Sequence, residues 1–118
     1  MEEIKVWFER AKKDFKAATN SLNSGDYEWT AFQAQQATEK SLKALYIKKH
    51  KNFIKIHDLV FLARKVNAPK EILVLCSKIN PSYLDTRYPD LTKSYNQEDA
   101  KEILNYAEKV LEWIEKNL

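Results

Sequence analysis

The chain has 118 residues, enough for one domain with one core, and at that length folding buries roughly two thirds of the surface an unfolded chain exposes. With 44% hydrophobic and 31% charged residues it lies away from the composition of disordered chains, and a single Gly with three Pro argues against a turn-rich sandwich or barrel. One Cys excludes an internal disulfide, no apolar run approaches the roughly 20 residues of a membrane span, and the N-terminus lacks a signal-peptide pattern. A soluble, cytoplasmic protein is the expectation, and its formal charge of +3 permits a polyanionic partner without requiring one.

Apolar residues at Ile4, Trp7, Phe8, Ala11, Phe15, Ala18 and Leu22 keep the spacing of one helical face and predict a first helix ending near Ser24. Gly25 suits the left-handed position after a helix, and Asp26 is placed to cap the next one by accepting from its free N–H groups. The second helix is expected from Tyr27 to about Lys49, on the order of 34 Å long at 1.5 Å per residue. Its small residues Ala31, Ala34, Ala37 and Ala44 let neighbours approach closely, which predicts that it forms the centre of a bundle.

His50 to Lys55 reads as a connection anchored by Phe53 and Ile56, after which His57 or Asp58 opens a short helix through Leu59, Leu62, Ala63 and Val66. Pro69 suits the first turn of a fourth helix to about Asn80, with Ile72, Leu75, Cys76 and Ile79 inward. Pro81 to Tyr95 is expected to hold a short helical turn and then a loop around Tyr88-Pro89-Asp90. Asn96 is a good N-cap for a last helix with Ala100, Ile103, Leu104, Ala107, Val110, Leu111 and Ile114 on its inner face. The fold class is therefore all-α: an antiparallel up-and-down bundle of about five helices, one domain over residues 1–118.

Between Lys40 and Lys55 stand Lys40, Lys43, Lys48, Lys49, Lys51 and Lys55 with no acidic residue among them. Such a segment can hold phosphates, or it can serve as a solvated helix end favoured by the dipole. The last helix is acidic at Glu98, Asp99, Glu102, Glu108, Glu112 and Glu115, so opposite patches can meet across a homodimer, or simply face water. His50 and His57 straddle a helix break in no zinc-site spacing, and with one Gly the chain has no phosphate-cradling loop, so no metal or cofactor is expected. Cys76 lies on an apolar stripe and reads as an inert buried thiol, and Trp7, Trp29 and Trp113 read as packing residues. In Thr86-Arg87-Tyr88-Pro89-Asp90, Arg87 is a guanidinium beside a Pro-fixed turn, free either to bind a phosphate or to clamp Asp90.

Four landmarks in this order resemble the HEPN family of small prokaryotic helical domains: Trp7 with Ala11 and Asp14; Ala34-Gln35-Gln36-Ala37 with Glu39-Lys40 and Leu42-Lys43-Ala44-Leu45; His57-Asp58-Leu59; and Thr86-Arg87-Tyr88-Pro89-Asp90. The resemblance covers nearly the whole chain. It implies an up-and-down bundle, homodimerisation, binding of a nucleotide or RNA, and pairing with a minimal nucleotidyltransferase in a toxin–antitoxin or defence module. It marks Gln36, Tyr88 and Asp90 as motif residues. Many catalytic relatives are metal-independent ribonucleases with four to six residues between an Arg and a following His, whereas here Thr92, Lys93 and Ser94 stand at those places after Arg87. Metal-free RNA cleavage needs a proton shuttle near neutral pH, and Arg does not supply one.

The expectation is therefore a non-catalytic domain binding its ligand through Arg87, Lys40, Lys43 and His57. The alternatives are a ribonuclease in which His57 substitutes beside Arg87, and a protein-interaction module docking through the basic end of the second helix.

Overall fold

A computed structural model describes residues 2–83 and 94–118. Among these residues there are five helices and no strand: α1 (Glu2–Asn23), α2 (Tyr27–His50), α3 (Leu59–Lys65), α4 (Lys70–Ile79) and α5 (Gln97–Asn117). No described helix is long and apolar enough to cross a membrane. The Thr86–Asp90 motif, with Arg87, Tyr88 and Asp90, lies outside the described residues, as does most of the loop expected between Pro81 and Tyr95.

The turn between α1 and α2 shows how local chemistry sets the antiparallel pairing. Gly25 takes φ 80, and its N–H donates to Leu22 O (3.1 Å) while Asp26 N–H donates to Ser21 O (2.9 Å). These two bonds close the last carbonyls of α1 and reverse the chain. Asp26 departs from expectation. Its φ of −92 and ψ of 76 fall outside the extended geometry that aims a capping carboxylate at the helix, and its side chain makes no capping bond. Its carbonyl serves instead, accepting from Thr30 N and from Thr30 Oγ1, each at 2.9 Å.

α2 packs against all four other helices, which accounts for its composition. A central helix cannot present one wet face along its whole length, so Ala31, Ala34, Ala37, Leu42, Ala44 and Leu45 are all fully buried. The main core joins all of these but Ala37 to Phe8 and Ala18 of α1, Leu59 and Leu62 of α3, Ile72, Cys76 and Ile79 of α4, and Val110 and Ile114 of α5. Ala11, Ala37 and Leu111 form a smaller cluster against Phe15 where α1, α2 and α5 meet.

Asp58 opens α3 by accepting from Val60 N (3.0 Å) and Phe61 N (3.2 Å). Asn80 ties the same point to the end of α4, donating to Asp58 Oδ1 (3.0 Å) and accepting from Leu59 N (2.9 Å). Pro69 stands at the residue before α4 rather than inside its first turn, and its carbonyl accepts from Ile72 N and Leu73 N. Asn96 caps α5 reciprocally: Asp99 N donates to Asn96 Oδ1 (2.8 Å) and Asn96 N donates to Asp99 Oδ2 (3.1 Å). In the α2–α3 connection Phe53 lies on Trp7, and Ile54 and Ile56 are both half-buried, with Ile54 packed against the core as well.

Candidate functional site

Residues 35, 39 and 43 recur at intervals of four and so stand in one row on α2. The row meets the α2–α3 connection, and Glu39 is its hub. Its side chain is nearly enclosed, at 6% exposure. Oε1 accepts from Gln35 Nε2 (3.2 Å), and Oε2 accepts from Lys43 Nζ (3.0 Å) and meets His57 Nδ1 (2.9 Å). Gln36 Nε2 in turn donates to Gln35 Oε1 (2.7 Å). Burying a charged carboxylate is tolerable because an ammonium and two further polar partners replace its water.

Lys43 is as enclosed as Glu39, at 5% side-chain exposure. Its Nζ sits 5.7 Å from the Trp7 ring centre and 5.6 Å from that of Phe53, and the two rings stack at 5.4 Å with a 29° tilt. The ammonium is thus held by one carboxylate and two aromatic rings. Lys40, on the neighbouring side of α2, pairs with Asp14 of α1, both about a quarter exposed. Of the two lysines expected to meet a ligand, the structure places Lys40 in an inter-helix ion pair and Lys43 in a buried one. The exposed cations of the segment are Lys48, Lys49, Lys51 and Lys55, of which Lys48 donates through Nζ to the carbonyls of Asn117 and Leu118.

His57 differs from both lysines. Its side chain is 56% exposed, and its ring stacks on Tyr83 at 5.0 Å with a 16° tilt. An ionised carboxylate only accepts, so the Glu39 contact places a hydrogen on His57 Nδ1 and leaves Nε2 as the nitrogen offered to a ligand. Nε2 can accept from a hydroxyl when the ring is neutral and donate to a phosphate when it is protonated. His50 belongs elsewhere: its Nε2 contacts Lys65 O (2.8 Å) and its ring lies 4.4 Å from Tyr46, fastening the end of α2 to the end of α3.

Two titrating groups mark the limits of the site. Burial, helped by the charge of Asp58, pushes the Cys76 thiol up to about 12, which makes it a poor nucleophile. Partial burial pushes the Asp58 carboxyl upward, but the N–H groups of Phe61 and Val60, the Asn80 amide and the nearby Arg64 outweigh it and hold the group below the usual value. Among the described residues no group of three His, Cys, Asp or Glu side chains is arranged to hold a metal ion.

Trp7, Gln35, Gln36, Glu39, Lys43 and His57, scattered in the sequence, therefore meet where α1, α2 and the α2–α3 connection join, with the Asp14–Lys40 pair on the neighbouring side of α2. Sequence reasoning missed Glu39 as the hub and Phe53 as part of the site. The spacing of Gln35, Glu39 and Lys43 was the available signal for the first, since residues four apart share a helix face. For Phe53 there was none beyond its place in the connection.

The HEPN domain profile matches residues 4–117, and the chain belongs to that family. It is 30% identical to the Methanocaldococcus jannaschii protein named "Putative toxin MJ1304", over 93% of this chain and 84% of that one. Its fold is similar to that of TT1696 from Thermus thermophilus (TM-score 0.92, 30% identity, all of both chains). It is also similar to ST0689, an archaeal HEPN homologue (TM-score 0.82, 28% identity, 98% of each chain). A HEPN domain protein from Thermotoga maritima, tm0613, shares the fold at 22% identity (TM-score 0.75, 93% of this chain and 94% of that one).

Proposed function

We propose that this chain is a HEPN module of the toxin–antitoxin or defence kind that binds a nucleotide or RNA at the corner of α2 and α3 without cleaving it. It acts as a homodimer and beside a minimal nucleotidyltransferase. The observation that carries the reading is His57: a half-exposed imidazole held by Glu39 through Nδ1, in a segment whose exposed charges are Lys48, Lys49, Lys51 and Lys55. Such a group contacts a phosphate or a ribose hydroxyl, and the lysines supply the sequence-independent attraction of a polyanion. Arg87, four residues beyond Tyr83 in the sequence, is the proposed further phosphate ligand, and the name of the M. jannaschii relative supports the toxin-type assignment.

A second reading has an observation of its own. A carboxylate bonded to one nitrogen of an exposed imidazole is the arrangement of a general acid or base, so His57 with Arg87 can also serve a metal-independent ribonuclease. Incubating the purified protein with RNA in excess chelator, beside His57→Ala, separates the two. Binding with intact RNA supports the first reading. Cleavage by the unaltered protein that His57→Ala loses selects the second, and neither binding nor cleavage removes both. Co-expression with a minimal nucleotidyltransferase tests the partner: a complex stable through gel filtration is the expected result, and separate elution contradicts it.

A further inference from the structure

The contacts around Lys43 leave one feature that phosphate recognition does not use. Phe53 is 48% exposed although an aromatic ring of its size normally gains by burial, and it is held out of the core by stacking on Trp7. The site's own contacts connect it to His57. The Phe53 ring lies 5.6 Å from Lys43 Nζ, Lys43 Nζ lies 3.0 Å from Glu39 Oε2, and Glu39 Oε2 lies 2.9 Å from His57 Nδ1. Ring, ammonium, carboxylate and imidazole thus form one continuous chain, with Phe53 at one end and the proposed phosphate contact at the other. The exposed Lys51 and Lys55 stand two residues to either side of Phe53.

We infer that Phe53, braced by Trp7, is a stacking platform for a nucleobase of the single-stranded RNA or nucleotide whose phosphate meets His57. This rests on the nucleic-acid reading above and adds to it the part of the ligand that the ring recognises. Three features favour a base over an apolar peptide side chain. The platform is a single half-exposed ring, Lys51 and Lys55 flank it in the sequence, and the imidazole at the other end of the chain of contacts suits a phosphate or ribose. The bracing matters physically, because a ring already stacked on Trp7 has little rotational freedom left to lose when a base settles on it. Stacking reads the π-face that every base presents, so the subsite distinguishes bases from no base rather than one base from another.

The test is a fluorescence titration at low salt with two probes of equal phosphate count, a short oligoadenylate and the corresponding abasic oligomer. The unaltered protein is expected to favour oligoadenylate by at least about fivefold. Phe53→Ala and Phe53→Leu are expected to remove that preference, so that the two probes bind alike, and Phe53→Trp is expected to keep it. Equal affinity of the unaltered protein for the two probes overturns the inference, and so does full preference in Phe53→Leu, which keeps an apolar side chain without a π-face. If Phe53→Ala changes only self-association and not oligoadenylate affinity, the ring belongs to an interface between copies and the inference is also overturned. Absence of binding to either probe removes the nucleic-acid reading together with the platform, whereas binding without base preference removes the platform alone.

Discussion

Glu39 Oε2 lies 2.9 Å from His57 Nδ1 while the same oxygen accepts from Lys43 Nζ at 3.0 Å, so one buried atom joins a buried cation to a half-exposed imidazole. A carboxylate can only accept, so the contact with His57 Nδ1 leaves Nε2 as the nitrogen for other partners. Glu39 therefore ties the packing of α2 to the position of His57.

Breaking one side of the pair should be costly. Glu39→Gln leaves the Lys43 ammonium with two aromatic rings and no countercharge, at a cost of about 3 kcal/mol in urea unfolding. Lys43→Met should cost a similar amount by leaving the carboxylate uncompensated. The double variant Glu39→Gln/Lys43→Met should lose clearly less than the sum of the two, because each single change strands the other group. Strict additivity in the three unfolding curves contradicts the coupling.

Asp58 makes a prediction about acid. Its folded pKa lies below the usual carboxylate value, so its contribution is complete at neutral pH, above the unfolded pKa, and is lost as pH falls through the folded one. Asp58→Ala, which removes the cap of α3 and the Asn80 contact, should cost about 1 kcal/mol at pH 7. The difference between the two proteins should shrink as the urea midpoint is followed down towards pH 2. A difference that stays constant over that range argues against the capping role.

Cys76 should be chemically silent in the folded protein. The thiol is fully buried and its pKa is pushed up to about 12, so thiolate is scarce at pH 8. Labelling by a disulfide reagent should be slow in buffer and become stoichiometric in denaturant, at a rate set by opening of the bundle. Rapid labelling without denaturant is the contrary result.

Much of the bundle could be read from local rules, because its punctuation is local. Gly25 at positive φ, Asn96 as the α5 cap and the inward stripe of α5 all follow from one residue and its near neighbours. Leu75 and Leu104, read as inward, proved half-buried at the edges of their stripes. Asp26 was misread because residue type marks a capping position but not the backbone angles that aim its side chain. The site was less legible for a different reason. A run of lysines without acids looks like a free cationic stripe in one dimension, yet Asp14 reaches Lys40 from another helix and Glu39 reaches Lys43 from one turn earlier. Trp7 and Phe53 meet only after α1 and the α2–α3 connection are packed on α2. That contact has no sequence signature.

The central claim, that the corner around His57 binds RNA or a nucleotide, is tested most directly by the affinity for single-stranded RNA as salt is varied. The unaltered protein should bind at low salt and weaken steadily as salt rises. His57→Ala, with its folding confirmed by an unchanged unfolding curve, should bind about tenfold more weakly, and Lys51→Ala/Lys55→Ala should flatten the salt dependence by up to two phosphate contacts. Undiminished affinity in His57→Ala, or no binding by the unaltered protein even at the lowest salt, would contradict the account.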